Sequence, residues 1–532
     1  RSSVMFLMGW EIMALSAFML VATEDDQEPA RRAGWIYLVA THIATLSLFA
    51  MFGLLWAASP APHTFNWLPA DRGAAPIDES TATAVFLLAI VGFGFKAGLM
   101  PLHFWLPSAH ATAPSHVSAL MSGVLIKMGV YGLVRVTSLF PHPPTWWGGL
   151  LLALGVVSGV LGIACACGQN DLKRLMAFSS IENIGIIVMG LGLAMVGRSL
   201  ERYDWVVLGL GAALLHVWNH SAFKSLLFFC AGSVVHACGT RELDQLGGLA
   251  RKLPTTAFVF LVGAVAICGL PPLNGFIGEF TLYRGLFSTL GIGKGPTWAA
   301  GALAVPALGL IGALAAAAYI KAYGAAFLGV SRSEQTVHAH EAPGSMLAPM
   351  GCLAAGCLLL GLLPSWFTPL IDRAVGTWAW EAGRLEQVSK LAPLGKVGGI
   401  GFLLAGSLAV TTAVFRTLMA RSMVESSSTW GCGYSAPTAR MQYTSSSFAE
   451  MLGKLFAWVL RSRSRGPRIN ELFPRHPARF ESVAAEPHEE ILVPAPRVLI
   501  RPLQWYRAGQ EAGVQVYLVC MFVVLLALLV WR

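Results

Sequence analysis

The chain has 532 residues, of which 55% are hydrophobic and only 12% are charged. Because soluble proteins carry about 25% charged residues, this composition excludes an ordinary soluble protein and indicates an integral membrane protein. The net charge of +9 does not indicate nucleic-acid binding, because the excess lies largely in loops and in one long polar segment, as the positive-inside rule predicts.

Runs of about 18 or more apolar residues predict about twelve membrane spans along the chain. They lie at 4–22, 33–57, 80–99, 117–137, 146–168, 178–197, 205–236, 256–290, 300–328, 346–363, 395–418 and 513–531. The loops after the odd-numbered spans carry more short-loop basic residues, namely Arg31, Arg32, Lys173, Arg174, Arg241, Arg251, Lys252 and Arg332. This bias predicts that these loops are cytoplasmic and that the C-terminus lies outside the cytoplasm. Since a span begins close to residue 1, we expect that N-terminal helices are missing.

The first group of buried charges lies in the first, third and fourth spans. Glu11 sits inside the first span, with apolar sequence on both sides of it. Lys96 lies in an apolar run that breaks at Pro101 and again at Pro107, and Lys127 follows in the next span. A charge at bilayer depth costs roughly 2.5–3.5 kcal/mol, and broken helices are tolerated there only beside protein or a polar cavity. The pattern predicts an ion site, with a helix-end glutamate and snorkelling lysines as the structural alternatives.

A second polar group lies in the span 205–236. His216, His220 and Lys224 recur every four residues and therefore share one helix face, which we call the histidine face. Two histidines at this spacing could bind a metal, but no third ligand of the H-E-x-x-H kind is present, and we predict no metal. A hydrogen-bonded structural role is a further alternative. We favour a proton relay, because imidazole titrates near working pH.

The span 256–290 repeats the theme of a broken helix with one charge. It is interrupted around Pro271 and Pro272, and Glu279 follows just past the break. Breaks at matching positions of two halves are typical of inverted-repeat transporters. We therefore predict an all-α, polytopic membrane bundle with two inverted five-helix repeats, each containing a broken helix. Lys321, near the centre of the span 300–328, either extends the polar line or snorkels in part.

These features divide the chain into a truncated first half (1–137), a second half (146–328), additional membrane helices (346–418), a polar cytoplasmic segment (419–512) and a C-terminal membrane helix (513–532). The polar segment has no sustained helical period and no metal or nucleotide motif. We predict that it contacts the membrane surface or a neighbouring subunit and does not form a catalytic domain.

Four blocks of sequence are similar to the proton-translocating antiporter-like subunits of respiratory complex I, Mrp antiporters and membrane-bound hydrogenases. They are GFKAGLMPLHFWLPSAHATAPSHVSALMSGVLIKMG, NDLKRLMAFSSIENIG, HVWNHSAFKSLLF and GLPPLNGFIGEF. The segment around Glu182 and the stretch from Trp430 to Phe448 resemble one branch of these proteins, the antiporter-like subunits of hydrogenase-4 and formate hydrogenlyase.

The resemblance implies a role for each buried polar group. Glu11 matches the family's intramembrane glutamate, Lys96 the lysine of the first broken helix, and Lys127 the bridging lysine. The histidine face matches the central relay, and Glu279 matches the exit residue on the second broken helix, where some members carry lysine and others glutamate. The family begins several helices earlier, so Arg1 departs from its pattern.

The sequence therefore predicts a subunit that moves protons along buried lysine, glutamate and histidine side chains, driven by redox chemistry in partner subunits of a hydrogenase or NADH/quinone oxidoreductase complex. The alternative is a Na⁺/H⁺ antiporter subunit of the Mrp type. With no C-x-x-C pair and no G-x-x-x-x-G-K-[ST] loop, we expect no cofactor in this chain and no redox chemistry of its own. The expected partners are other membrane subunits and subunits with iron–sulfur clusters and, in a hydrogenase, a nickel–iron centre. The expected location is the cell's inner membrane.

Overall fold

Membrane-length helices make up most of the described residues. A computed structural model describes residues 2–59, 63, 65, 77–380, 385–420, 442–448 and 456, and the backbone of 463–465 and 481–483. The chain divides into two units, Arg1–Phe456 and Ala457–Arg532. The helices of the first unit are α1 Ser3–Val21, α2 Glu28–Ala57, α3 Glu79–Ala97, α4 Leu106–Thr112, α5 Ser115–Leu120, α6 Ile126–Thr137, α7 Thr145–Gly168, α8 Leu172–Ser199, α9 Tyr203–Cys238, α10 Pro254–Ile267, α11 Asn274–Thr289, α12 Pro296–Phe327, α13 Glu334–Val337, α14 Gly344–Leu362, α15 Thr368–Trp378, α16 Val388–Leu391 and α17 Leu394–Ala420.

The predicted all-α membrane bundle is confirmed. Within the described ranges, ten helices are long and apolar enough to cross a membrane, and α5 to α6 count as one of them. The broken pair α10 and α11 covers the predicted span 256–290. Eleven of the twelve predicted spans therefore coincide with helices, whereas the span 513–531 lies outside the described residues.

Helix α8 lies at the centre of the second half. Its most apolar 18-residue window is completely buried, because α7 and α9 pack against it along most of its length. Glycines allow this close approach: a Cβ on Gly185 would lie 2.6 Å from the Gly155 carbonyl oxygen, and a Cβ on Gly162 would lie 2.8 Å from the Glu182 nitrogen. Small residues at helix interfaces are the usual means of close packing in membranes. Polar side chains on α8 therefore face other helices.

Both predicted helix breaks are present. The chain leaves α3 at Gly98, whose φ of +76° favours glycine, and the break runs through Pro101 to Trp105. The Trp105 Nε1 donates to the Phe95 carbonyl at 2.7 Å, which satisfies one acceptor that the helix end exposes. The second break lies between α10 and α11 and contains Pro271 and Pro272.

Pro107 does not break a helix. It lies in the first turn of α4, where a helix has no partner for its backbone N–H groups and proline is well tolerated. The prediction of a second interruption at Pro107 was therefore wrong, and α4 is instead the short second part of the first broken helix.

The described residues 364–380 and 385–391, between α14 and α17, form a strap that the sequence did not predict. It contains a 3₁₀ turn at Pro364–Trp366, then α15 and α16. The Trp378 Nε1 donates to the Val134 carbonyl at 3.0 Å and to the Thr137 hydroxyl at 3.1 Å. The Arg198 guanidinium lies 4.4 Å from the Trp378 ring centre, a cation–π distance. The strap thus connects the last membrane helices to the ends of α6 and α8.

At the other end of the bundle, Asp171 joins the loop before α8 to the loop after α9. Its carboxylate accepts hydrogen bonds from the backbone nitrogens of Lys173 at 2.8 Å and Arg174 at 3.0 Å, which caps α8. The second carboxylate oxygen lies 2.5 Å from the Arg241 Nε. Glu242 lies in the same junction. Burial is the main cause that raises the pKa of its carboxyl group, and the negative charge of Asp171 is the second cause.

Replacing Asp171 with alanine should destabilise the loop end of α8 by about 1–2 kcal/mol, because the cap is lost and Arg241 loses its partner. Thermal unfolding of the purified protein in detergent measures this effect. Asp171→Asn keeps the capping oxygen without the charge and is the matched control, with a smaller expected loss. Equal melting temperatures for wild type and Asp171→Ala would contradict the assignment.

The described part of the polar segment contacts loops of its own chain. The Ser446 nitrogen donates to an Asp244 oxygen at 3.0 Å, and the Asn170 amide donates to the Ser446 hydroxyl at 2.9 Å. The Arg332 guanidinium donates to the Tyr443 carbonyl at 2.9 Å. These contacts place 442–448 on the loops after α7, α9 and α12, and most of the predicted segment 419–512 lies outside the described residues.

The second unit contributes a short antiparallel pair of strands. Strand β1, Arg463–Arg465, pairs with β2, Glu481–Val483, with Arg465 opposite Glu481. These two strands are the described part of the second unit.

Candidate functional site

Lys96 lies in the last turn of α3, directly before the first break, and is 1% exposed. Its Nζ donates to the Tyr37 hydroxyl at 3.0 Å and lies 5.6 Å from the Trp10 ring centre and 5.3 Å from the Tyr37 ring centre. Both rings are within the range of cation–π attraction. The ammonium is therefore held by a hydroxyl and two aromatic faces, so it does not snorkel.

Glu11 approaches this lysine without contacting it. The Thr45 hydroxyl donates to the Glu11 carboxylate, and the His42 Nε2 lies 3.9 Å from it. The Glu11 side chain is 28% exposed. It interacts electrostatically with Lys96, but the two form no ion pair within 4.0 Å in the described structure. Tyr37 is thus the direct partner of Lys96, and the sequence did not reveal it.

Lys127 is buried at a π-helical turn, Met121–Leu125, between α5 and α6. Such turns leave carbonyls outside the regular helical ladder and are frequent at functional sites. The Lys127 Nζ donates to the Ser122 carbonyl, and the hydroxyls of Ser122 and Ser180 lie 2.9 Å apart. Lys127 therefore points into the bundle, and a serine pair links its turn to α8.

Lys224 lies on α9 and is fully buried. Its Nζ donates to the Met176 carbonyl at 2.7 Å, to the Ser179 hydroxyl at 2.5 Å and to the Tyr319 hydroxyl at 3.3 Å. The Ser180 hydroxyl donates to the same Met176 carbonyl at 3.0 Å. This shared carbonyl completes a chain of polar contacts from the Lys127 turn to Lys224.

Glu182 and Asn183 on α8 are site residues that the sequence analysis did not include. Glu182 is 1% exposed and interacts electrostatically with Lys224 and Glu279. The Asn183 amide donates to the Glu182 carboxylate at 2.8 Å, and its oxygen lies 3.0 Å from the His216 Nε2. The signal that could have identified Glu182 was a carboxylate inside the predicted span 178–197.

The histidine face lies inside the bundle, where several polar atoms have no protein partner. Both ring nitrogens of His220, the Nδ1 of His216 and the Asn219 Nδ2 are buried without a hydrogen bond to any described residue. The same holds for both ring nitrogens of His110, on the first broken helix, and for the Asn274 Oδ1, at the start of α11. Buried polar atoms of this kind are normally satisfied by water. The Asn274 amide donates to the Asn219 carbonyl at 3.3 Å, and His220 interacts electrostatically with His110 and His216. The two broken helices therefore border one polar region.

Glu279 lies on α11, faces the bundle interior and is 8% exposed. Its carboxylate occupies space that a side chain at Gly269 would fill, because a Cβ there would lie 2.7 Å from Oε1. Gly269 also has a φ of +62°. The break therefore requires glycine at this position both for space and for backbone conformation. Gly278 directly precedes Glu279, and a Cβ at Gly278 would lie 2.8 Å from the His216 Nδ1. In the described structure Glu279 has no hydrogen bond and no ion pair.

Lys224 and Lys321 form no ion pair with Glu279 in the described structure and have other direct partners. Lys224 is bound as described above, with Glu182 interacting with both groups. Lys321 is 3% exposed, and its Nζ donates to the carbonyls of Cys167 at 2.7 Å and Gln169 at 2.5 Å. Lys321 therefore binds the carbonyl end of α7, the position that favours a cation.

Among the described residues, no group of three or more histidine, cysteine, aspartate or glutamate side chains could hold a metal ion. The polar region is thus made of spaced single groups: Lys96, Lys127, Glu182, Glu279 and the three residues of the histidine face. Because the direct partners of these groups are mostly neutral, no opposite charge in contact offsets a change in the charge of one group. Such a change therefore alters the electrostatic field at the next group.

Solved structures and curated sequences resemble this chain. The membrane-bound sulfane sulfur reductase, an archaeal respiratory membrane complex, contains a chain that aligns with 100% of this chain and 81% of its own length, at a TM-score of 0.73 and 22% identity. At that identity the likeness establishes the fold.

Two relatives from Escherichia coli (strain K12) are more similar in sequence. Hydrogenase-4 component B is 41% identical over 69% of this chain and 54% of its own length. Formate hydrogenlyase subunit 3 is 36% identical over 70% of this chain and 59% of its own length. The chain therefore spans little more than half the length of these relatives.

The family comparison covers the region that contains most of the buried groups. The model described as NADH:quinone oxidoreductase/Mrp antiporter, transmembrane, matches residues 1–292, more than half of the chain. That stretch includes both broken helices and the histidine face. This multi-pass membrane protein belongs to the NADH:quinone oxidoreductase/Mrp antiporter family.

Proposed function

We propose that this chain is the proton-translocating membrane subunit of a respiratory-type hydrogenase or NADH/quinone oxidoreductase complex. The observation that carries the proposal is the line of buried ionisable groups between the two helix breaks. It runs from Lys96 through Lys127 and Lys224 to Glu279. The other two residues of the histidine face, His216 and His220, lie beside it.

The surroundings of the lysines suit a group that changes charge. Charged side chains within a membrane are costly and rare, and they usually mark ion or proton pathways. A lysine in a buried ion pair would be held charged by its partner. Lys96 and Lys224 instead bind hydroxyls and a carbonyl, which accept hydrogen bonds from the ammonium and do not tie it to a fixed counter-charge.

Water would complete the path between these groups. The unpartnered atoms of His110, His220, Asn219 and Asn274 border one region, and ordered water there would satisfy them and carry protons. The Ser122–Ser180 pair supplies a second polar link, between Lys127 and Lys224.

The driving reaction would lie in partner subunits. We propose that other membrane subunits flank this chain and that attached subunits carry iron–sulfur clusters and, in a hydrogenase, a nickel–iron centre. The names of the Escherichia coli relatives favour the hydrogenase setting. We further propose an inner-membrane location with the loops at Asp171, Arg241 and Arg332 in the cytoplasm, according to their charge.

Reconstitution of the intact complex tests this function. The complex, isolated with its partner subunits, would be placed in liposomes with a trapped pH dye and supplied with its electron donor and acceptor. We expect a pH gradient that a protonophore abolishes and that forms equally well in sodium-free buffer. A strict requirement for sodium would favour Na⁺/H⁺ antiport, and redox turnover without any ion gradient would refute the proposal.

A further inference from the structure

We propose that Glu182 is the carboxylate that governs the protonation of Lys224 in the second half, as the counterpart of Glu11 in the first half. This inference rests on the proposed function and adds to it a residue and a direction of control.

The order of helices supports the correspondence. In the second half, α8 is the second helix before the broken pair α10 and α11, with α9 between them. In the first half, α1 stands in the same place before the broken pair α3 and α4, with α2 between them. Each of these helices carries one intramembrane glutamate, Glu11 on α1 and Glu182 on α8, and each glutamate interacts electrostatically with a buried lysine.

The packing of α8 keeps the Glu182 carboxylate inside the bundle. Gly162 of α7 lies against its backbone, so that a Cβ there would come within 2.8 Å of the Glu182 nitrogen. The side chain is 1% exposed and accepts a hydrogen bond from the neutral Asn183 amide. A buried carboxylate without a cation in contact is costly to keep ionised. The Lys224 Nζ binds the Ser179 hydroxyl, which lies one helical turn before Glu182 on α8. The charge of the carboxylate therefore depends on this lysine, with which it also interacts electrostatically.

Asn183 extends the influence of Glu182 to the histidine face. Its amide nitrogen donates to the Ser179 carbonyl at 2.7 Å and to Glu182 at 2.8 Å, so its oxygen must face the His216 Nε2 at 3.0 Å. That oxygen can only accept, which places the His216 proton on Nε2. In neutral His216, Nδ1 is then a free acceptor, and it lies beside Gly278, the neighbour of Glu279.

This arrangement permits the transfer of a proton from Lys224 to His216 under the control of Glu182. An arriving proton adds to the Glu182 carboxylate and removes its negative charge, which weakens the attraction that keeps Lys224 protonated. Lys224 then releases its ammonium proton towards the polar region, where the His216 Nδ1 can accept it. Transfer of the proton from Glu182 to Lys224 then restores both groups, and the proton that His216 accepted is the one that moves on through the polar region.

Glu182→Gln tests the assignment, because glutamine keeps the volume and the acceptor for Asn183 but cannot ionise. In liposomes containing the whole complex, we expect at least about a tenfold loss of proton transport, which is less than the roughly 10²–10⁴-fold that a positioned acid–base group typically contributes. Assembly and melting temperature should stay at the wild-type level. Glu182→Asp should restore part of the transport with a shifted pH profile. The exposed Glu334, changed to glutamine, is the matched control and should transport normally.

Infrared titration of the detergent-solubilised complex gives a readout independent of transport. We expect a carboxyl band that is absent from Glu182→Gln and whose titration midpoint moves in Lys224→Met. Normal transport by Glu182→Gln, a band that ignores Lys224, or a loss of assembly that Glu182→Asp does not rescue would overturn the proposal. A wild-type complex that forms no gradient would refute the proposed function, while the infrared result would still decide the coupling between Glu182 and Lys224.

Discussion

Lys96→Ala is expected to abolish coupled proton transport, with a loss of at least about tenfold, because it removes an acid–base group from the only route that we propose through the first break. The ammonium contacts the Tyr37 hydroxyl and the faces of Trp10 and Tyr37, and alanine reproduces none of these contacts. Quenching of a pH-sensitive dye in liposomes containing the complex measures the effect.

The complex should still assemble in this variant. Lys96 has neutral partners, so its removal leaves one buried hydroxyl unpaired, at a cost of about 1–3 kcal/mol, and leaves no unpaired ion in contact. Lys96→Arg is also expected to fail, because arginine remains protonated. The exposed Lys294, changed to alanine, serves as the control. Wild-type transport by an assembled Lys96→Ala complex would exclude Lys96 from the path.

Glu279→Gln is expected to block transport to a similar extent, at least about tenfold, because it removes the ionisable group of the second broken helix. The carboxylate fills the space beside Gly269, and glutamine has nearly the same volume. We therefore expect a melting temperature close to that of wild type. Initial rates of proton release from liposomes, measured over a range of pH, test both statements.

Glu201→Gln makes the same chemical change at an exposed position and should leave the rates unchanged. If Glu279→Gln kept the wild-type rate and pH profile, the second break would be structural. A large drop in melting temperature together with lost transport would show instead that Glu279 maintains the packing around Gly269.

The membrane architecture could be predicted because bilayer crossing depends on local composition. A run of apolar residues long enough to span the hydrocarbon core identifies a helix without reference to its neighbours. A helix break also depends on local sequence. Both interruptions were therefore marked correctly, the first by Pro101 and the second by Pro271 and Pro272. Pro107 misled the analysis, because proline in a first turn looks in sequence like proline in a break.

The histidine face was also readable from the chain, since a spacing of four residues places His216, His220 and Lys224 on one side of any helix. The residues that surround this face were not. Met176 and Ser179 lie on α8 and Tyr319 lies on α12, and nothing in their local sequence indicates that they bind Lys224.

The strap between α14 and α17 escaped prediction for a related reason. Its helix α15 has 11 residues, too few to register as a span, and its position is set by Trp378 meeting Val134 and Thr137 of α6. That contact joins residues more than 200 positions apart.

The sequence by itself thus determined which segments enter the membrane, where two of them break, and which charges are buried, because each of these follows from composition and spacing within one helix. The tertiary structure alone decided the partners of those charges. It placed Tyr37, not Glu11, against Lys96, brought Glu182 within electrostatic reach of both Lys224 and Glu279, and bound Lys321 to the end of α7. Partner choice depends on how helices rotate and approach one another, and glycines such as Gly155, Gly162 and Gly185 set that approach only when the helices are already packed together.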